Sequence, residues 1–209
     1  MSDIQDMQLH VYLDSLLGSK VSIRLARALI KYPGKVFTVR KLAQAAGVSS
    51  SEAALAVQEL AKFGILNIQP VGRAYLVSLN EKSYILNRIL RPAIRAEGDT
   101  IAELVSVLKK HLAHKSITSA ALFGSVAAST ERKGSDIDLL VVSNDDEAAS
   151  SAVAKAMEEV ALVFNGRLSP LIMNERELKS KGNSRLLSSI LENYIVVAGK
   201  DPKELVEGK

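Results

Sequence analysis

The sequence contains no cysteine, which excludes disulfide bonds, thiolate zinc sites and a cysteine nucleophile. Its three histidines, His10, His111 and His114, are too few to favour a multi-histidine metal centre. Aromatic residues make up 4% of the chain, which argues against a surface that stacks the bases of single strands. No apolar run approaches the roughly 18–20 residues of a membrane span, and the acidic start lacks a signal-peptide pattern. We therefore expect a soluble, cytoplasmic protein without a membrane partner.

Charge is unevenly divided along the chain. Of the 209 residues, 47% are hydrophobic and 24% charged, which is typical of globular proteins and enough for one large domain or two small ones. Residues 1–82 hold 10 Lys and Arg against 6 Asp and Glu, whereas residues 83–209 hold 17 against 17. The net charge of +4 therefore lies in the first part, which suggests an anionic partner there, nucleic acid first. Because +4 is also common on soluble domains, charge alone does not decide this.

The first part of the sequence begins with two predicted helices. Apolar residues recur at helical spacing over Val21–Tyr32, and Pro33 and Gly34 end the pattern. A short strand precedes the second helix, which covers 39–46 and is capped by Thr38. Gly47 then permits a tight turn.

A third helix and two strands follow the turn. Ser49 and Glu52 have the spacing of a capping box, which opens the helix. Gly64 ends it, and two strands are predicted over Ile65–Val71 and Ala74–Leu79. The apolar residues of this predicted helix are Ala53, Leu55, Ala56, Leu60 and Phe63.

This order of elements over Phe37–Val71 resembles the winged helix-turn-helix family. The likeness rests on the segments 38–49, a helix with its Gly-containing turn, and 60–66, the leucine-and-glycine end of a recognition helix. In that family the second helix of the pair enters the DNA major groove, and basic residues around it hold phosphates. The resemblance implies that the positions facing DNA are Ser49, Ser50, Ser51, Ala54 and Gln58, and that those facing phosphate are Arg40, Lys41, Lys62 and Arg73.

Duplex DNA is accordingly the expected partner of the first part, and one alternative stays open. Winged helices also serve as protein-docking modules. The predicted recognition helix has few of the Arg, Asn and Gln residues that usually read bases.

The next segment predicts two helices and the domain boundary. The first helix covers about Tyr84–Ala96, with Pro92 bending or restarting it. Gly98 is expected to break the pattern, and Asp99 or Thr100 to cap the second helix. We place the domains at 1–82 and 83–209, with a linker helix over about 83–98.

The second part carries a compact motif. A strand predicted over 116–123 runs into Gly124 and Ser125, and a second strand begins at Asp136 and Asp138. The segment 122–141 resembles the signature of the DNA polymerase beta nucleotidyltransferase superfamily, most of all its minimal branch. The resemblance covers about 101–199. It implies an α+β protein whose second domain is a nucleotidyltransferase-like mixed sheet flanked by helices.

The spacing of the motif has a chemical reason. Two aspartates at i and i+2 on a strand point to the same face, so Asp136 and Asp138 can share Mg²⁺ or Mn²⁺. In the family such a metal site holds a nucleoside triphosphate beside an attacking hydroxyl. The turn at Gly124 and Ser125 exposes N–H groups and a hydroxyl to phosphate. The expected catalytic and metal-binding residues are thus Asp136 and Asp138, and the nucleotide-binding residues are Gly124 and Ser125.

Two departures from the family pattern concern catalysis. Ala128 and Ser129 replace the family's Arg and Gly, so a cation near the phosphates is missing. The family's third carboxylate belongs on the strand over 167–173, where Ser169 stands instead. A serine is a poor metal ligand and a poor base. The nearest acids, Glu175 and Glu177, lie beyond the strand and are a weaker alternative.

Two functions fit the sequence. In the first, the protein is a DNA-binding regulator whose second domain binds metal and nucleoside triphosphate, with weak or lost catalysis. In the second, it is an active Mg²⁺-dependent enzyme that transfers a nucleotidyl group to a protein, nucleic-acid or small-molecule hydroxyl. A toxin-like protein partner with an antitoxin-like role, and a homodimer, stay open.

Overall fold

The structure is a computed structural model that describes residues 12–182 and 184–207. His10 lies outside the described residues. The chain divides into two compact units, Met1–Gly98 and Asp99–Lys209.

The first unit consists of short helices and a small antiparallel sheet. Its elements in chain order are α1 (Leu13–Gly18), α2 (Lys20–Lys31), β1 (Phe37–Thr38), α3 (Val39–Ala46), α4 (Ser50–Lys62), β2 (Leu66–Val71) and β3 (Ala74–Leu79). The strand order is β1-β3-β2, with antiparallel pairing throughout. From α2 to β3, the order of helices and strands is the one that the sequence predicts.

Local hydrogen bonds explain where α3 and α4 begin and end. The Thr38 hydroxyl accepts a bond from the backbone of Lys41, which caps α3. Gly47 then adopts φ +64°, a left-handed conformation that suits glycine and turns the chain. Ser49 and Glu52 form the predicted capping box at the start of α4, each binding the backbone N–H of the other.

The core of the first unit lies between α2, α3, α4 and the sheet. Its fully buried leucines include Leu25, Leu29, Leu42 and Leu60. Leu55 does not belong to this core, because 68% of its surface is exposed.

A single helix replaces two predicted ones after β3. One π-helical turn, Leu86–Leu90, leads into α5 (Arg91–Leu112), which continues through Gly98. The Arg91 N–H donates to the Leu86 carbonyl, five residues back, and this wider turn accommodates Pro92, which has no N–H to donate. The predicted break at Gly98 and the cap at Asp99 or Thr100 are wrong. One helical glycine costs only about 1 kcal/mol, which helix-forming neighbours offset.

The second unit is a mixed four-stranded sheet with helices. After α5 its elements are β4 (Ile117–Phe123), α6 (Gly124–Ala127), β5 (Ile137–Ser143), α7 (Asp146–Phe164), β6 (Leu168–Met173), α8 (Glu175–Ser180), α9 (Arg185–Glu192), β7 (Ile195–Gly199) and α10 (Pro202–Glu207). The strand order is β6-β5-β4-β7. Only β5 and β6 run parallel, joined by the α7 crossover.

The two central strands are buried on both faces of this sheet. Residues 139–142 of β5 and 120–122 of β4 are fully buried. One core cluster contains Leu108, Val153 and Val160, from α5 and α7, and the other contains Leu178, Leu187 and Leu205, from α8, α9 and α10. The structure therefore has the mixed α+β character that the sequence predicts. None of the helices described is both long and apolar enough to span a bilayer.

Replacing Gly98 with alanine is expected to stabilise the protein by about 0.5–1 kcal/mol. The position is exposed within α5, and no heavy atom outside the local helix backbone lies within 4 Å of a Cβ built there. The measurement is the free energy of unfolding from denaturant titration. Gly134→Ala is the matched control, because its site is equally open but has φ +86°, so that this change should destabilise. A loss of stability in Gly98→Ala would contradict the account.

Candidate nucleotide site and basic surface

Antiparallel pairing of β4 with β5 brings the two halves of the predicted motif together. Phe123, the last residue of β4, pairs with Asp138 on β5. Gly124 follows at φ +69°, and a Cβ on Gly124 would collide with the Asp138 carboxylate. Glycine is therefore required at position 124 for two reasons: its backbone conformation and the close approach of Asp138.

The turn after β4 contains Ser129 at the position where the resemblance places a glycine. Ser125 lies in the short helix α6, and its carbonyl accepts a bond from the Thr130 N–H at 2.9 Å. Ser129 adopts φ +54°, the left-handed region in which glycine is favoured. The resemblance places a glycine at this position, so Ser129 holds with some strain a backbone that glycine would adopt freely.

Asp136 is held by an arginine on the neighbouring strand segment. The guanidinium of Arg167 donates from Nε to Oδ1 and from Nη2 to Oδ2 of Asp136, both at 2.6 Å. The pair thus engages both carboxylate oxygens. Hydrogen bonding to Arg167 lowers the pKa of the Asp136 carboxyl, and the same contact raises the pKa of Arg167.

Asp138 has the opposite electrostatic environment. It is half-buried against Gly124, and burial raises the pKa of its carboxyl. The negative charge of Asp136 raises that pKa further. The two aspartates are therefore unequal: Asp136 is paired with Arg167, whereas Asp138 has no cationic partner among the residues that the structure describes.

Among the residues that the structure describes, no carboxylate takes the third position beside this pair. Ser169 on β6 lies in register with Asp138 on β5 and is exposed. Neighbouring residues in register on parallel strands share a face, so Ser169 lies on the side where a third acid would approach Asp138.

The alternative acids Glu175 and Glu177 belong to the other end of the sheet. Both follow the end of β6, about 13 Å of strand beyond Ser169. Glu175 accepts bonds from the Thr118 hydroxyl and the Asn144 amide, and Glu177 completes a capping box with Asn174. The hypothesis that either acid replaces the third carboxylate is therefore wrong for this structure.

The donors available to a divalent metal are fewer than a two-metal site needs. Within 12–182 and 184–207, no three His, Asp or Glu side chains gather to form a metal site. His111 contacts Glu159, while the His114 ring accepts a bond from the Ser116 backbone, and His114 lies beyond the end of α5. Asp136 and Asp138 fit one divalent cation carried by a triphosphate, provided that Arg167 leaves Asp136.

The predicted DNA-facing residues lie on exposed parts of the first unit. Arg40 and Lys41 lie in the first turn of α3, and Arg73 lies between β2 and β3. The exposed residues of α4 are Ser50, Ser51, Glu52, Ala54, Leu55, Gln58, Glu59 and Lys62. We refer to Arg40, Lys41, Arg73 and this set as the basic surface.

Two predicted residues of this surface already have local partners. The Ser49 hydroxyl is used by the capping box and contacts Glu52 Oε2 at 2.5 Å. Lys62 forms an ion pair with Glu59 at 3.0 Å. Their roles toward DNA stay predictions, as do those of the other surface residues.

Two residues that sequence reasoning missed are Arg167 and Leu55. Arg167 lies 31 residues after Asp136, and only the parallel register of β5 and β6 makes them neighbours. Leu55 is an exposed residue of α4, and its spacing from Ser51 and Gln58 places all three on one helix face. That spacing was available in the sequence, whereas the Arg167 contact depended on long-range pairing.

Residues 102–197 match the family model of the nucleotidyltransferase domain. The matched segment lies in the second part of the chain and includes Gly124, Asp136, Asp138 and Arg167. No curated protein matches the chain.

Solved structures with a similar arrangement are distant. A crystal structure described as a toxin-antitoxin with AMP-PNP is 14% identical, covering 51% of this chain and 81% of that one, with a TM-score of 0.35. A mutant of the toxin-antitoxin MntA-HpeT is 12% identical, with the same coverage and TM-score. TrmBL2, described as an archaeal chromatin protein with a novel mode of DNA binding, is 15% identical, covering 87% of this chain and 73% of that one, with a TM-score of 0.30.

Asp138→Asn is expected to stabilise the protein at neutral pH, and the gain should shrink as the pH falls. A carboxyl whose pKa is raised on folding destabilises the fold when ionised, above its folded pKa. Below the ordinary aspartate pKa of about 3.9 the carboxyl is protonated in both states, and the penalty disappears. The measurement is the difference in unfolding midpoint between variant and parent at several pH values.

Asp136→Asn is the matched comparison for this series. The pKa of Asp136 is lowered on folding, so its charge stabilises the fold above the ordinary pKa, and the benefit is lost as the pH falls through the folded pKa. This variant should therefore not gain stability at neutral pH. Equal responses of the two variants at every pH would show that the two carboxyls do not differ in the way described.

Proposed function

We propose that the protein is a DNA-binding regulator with a nucleotide-binding domain. Its first part is a winged helix-turn-helix that binds duplex DNA. Its nucleotidyltransferase domain binds a nucleoside triphosphate with Mg²⁺ or Mn²⁺ and transfers nucleotidyl groups slowly or not at all. The observation that carries the proposal is the composition of the site around the two aspartates. Arg167 binds both oxygens of Asp136, and Ser169 lies in register with Asp138.

Three features support DNA binding by the first part. The order of α3, the Gly47 turn, α4 and the β2–β3 hairpin is that of a winged helix-turn-helix, in which the second helix enters the major groove. Basic residues occupy both flanks of α4 in sequence, Arg40 and Lys41 before it and Arg73 after it. Leu55 and Ala54 on the exposed face offer apolar contacts of the kind that thymine methyl groups accept.

The full chain is expected to bind duplex DNA weakly and with strong salt dependence. Each phosphate contact contributes about one unit to the slope of log affinity against log salt, so Arg40→Gln with Arg73→Gln should reduce the slope by about 2. The loss should be similar on DNA of different sequences, because phosphate contacts carry no sequence information. The measurement is fluorescence anisotropy of labelled duplexes over a salt series.

Lys155→Gln is the control for this experiment, since it removes a positive charge from an exposed position on α7. It should leave the slope unchanged. If the parent protein binds no duplex even at low salt, the first part is a protein-docking module.

Nucleotide binding is supported by the features that the domain has kept. Gly124 retains the close approach to Asp138 that any larger residue would block. Asp136 and Asp138 would hold the divalent cation, and Gly124 and Ser125 would face the phosphates. When bound, the cation would supply positive charge that offsets the charge of the triphosphate.

Weak catalysis is supported by the features that the domain has lost. Transfer needs an acceptor hydroxyl that is positioned and deprotonated beside the triphosphate. Ser169 cannot take that proton as a carboxylate would. Ala128 leaves the phosphates without the family's arginine.

The parent protein is expected to retain labelled ATP in equilibrium dialysis but to transfer little or none of it. Ser169→Asp should raise transfer, or create it, because a general base typically contributes about 10²–10⁴ in rate. The assay follows label from each of the four triphosphates onto DNA, RNA and protein acceptors. Ser169→Asn is the matched control, since asparagine has the size of aspartate without its charge.

An active enzyme is the alternative function, and the same assay decides it. Robust transfer by the parent protein that Asp138→Asn abolishes would establish it. That result would also mean that a carboxylate other than those at Glu175 and Glu177 completes the site.

A further inference from the structure

We propose that Arg167 is an internal cation that competes with the divalent metal for Asp136 and so sets the metal affinity of the domain. The inference rests on the proposed function, in which Asp136 and Asp138 hold the metal. It goes further by assigning Arg167 a role: metal binds only when the guanidinium releases Asp136.

The geometry of the pair makes the competition direct. Both oxygens of Asp136 accept a hydrogen bond from Arg167, at 2.6 Å each. A metal that binds this carboxylate must replace at least one of these bonds. A bidentate arginine pair is among the stronger charge-assisted contacts, so the replacement has a cost.

The backbone around Arg167 holds the guanidinium in reach of Asp136. The Ile137 N–H donates to the Arg167 carbonyl at 2.8 Å, which ties this residue to the first residue of β5, next to Asp136. The parallel pairing continues from Ile137 with Leu168 and Asp138 with Ser169. The pair is therefore fixed by the sheet register and does not depend on a chance meeting of two long side chains.

The side chain itself is free to leave. The Arg167 side chain is 80% exposed, while that of Asp136 is 33% exposed. Releasing the guanidinium into water therefore uncovers little packed surface, and the carboxylate stays in place directly before β5. An exposed ion pair contributes little to folding stability, so Arg167 can be replaced without endangering the fold.

The charges distinguish this arrangement from an ordinary surface ion pair. Arg167 brings one positive charge to two neighbouring carboxylates, Asp136 and Asp138, and contacts only the first. A divalent cation brings two charges and is able to use oxygens of both. We therefore expect the divalent cation to displace Arg167 from Asp136 at high metal concentration. At low metal concentration Arg167 should stay bound to Asp136.

The test is direct binding of Mn²⁺ alone to the complete 209-residue chain given by the sequence, measured from the electron paramagnetic resonance signal of free Mn²⁺. Arg167→Gln should bind Mn²⁺ about ten-fold more tightly than the parent. Arg167→Lys should lie between them, because it keeps the charge but loses the two-pronged contact. Arg132→Gln, an equal loss of charge on an exposed loop of the same unit, should match the parent.

The outcomes separate this inference from the proposed function. Equal Mn²⁺ affinity of the parent and Arg167→Gln, with binding lost in Asp136→Asn, would overturn the competition and leave the metal site intact. An equal increase in Mn²⁺ affinity in Arg132→Gln would also overturn the competition, since the loss of net positive charge would then explain the effect. Absence of Mn²⁺ binding in every variant, with ATP and without it, would overturn both.

Discussion

The antiparallel pairing of Phe123 with Asp138 is the constraint on which the candidate site depends. It places the turn at Gly124 against the carboxylate of Asp138, fourteen positions further along the chain. The close contact excludes any side chain at position 124 and leaves the Asp138 carboxyl partly buried. The raised pKa of Asp138 follows from that burial and from the neighbouring charge of Asp136. The ionised, partly buried carboxyl of Asp138 lowers the free energy of unfolding, and such perturbed groups are typical of binding sites.

The parallel pairing of β5 with β6 determines what the site contains besides the two aspartates. It places Ser169 beside Asp138 and Arg167 beside Asp136. In this chain these two positions hold an exposed serine and an arginine that pairs with both oxygens of Asp136. The proposals of nucleotide binding, weak transfer and competition for metal all depend on these two residues.

Local patterns in the sequence were enough to predict much of this structure. The capping box at Ser49, the turn at Gly47 and the alternation around Asp136 each depend on residues close in sequence. The mixed sheet followed from the resemblance. Gly98 was misjudged because its helical penalty is small compared with the contribution of its neighbours.

Arg167 could not have been found in the same way, because its contact requires the register of two strands joined by a nineteen-residue helix. The register decides whether an arginine directly before β6 meets Asp136, Asp138 or solvent. Release of Arg167 from Asp136 on metal binding is tested most directly by a crystal structure of the protein with Mn²⁺ and ATP, using the anomalous signal of manganese. The account predicts manganese between Asp136 and Asp138 with the Arg167 guanidinium released from Asp136. Nucleotide bound with manganese elsewhere, and Arg167 still holding both oxygens of Asp136, would contradict it.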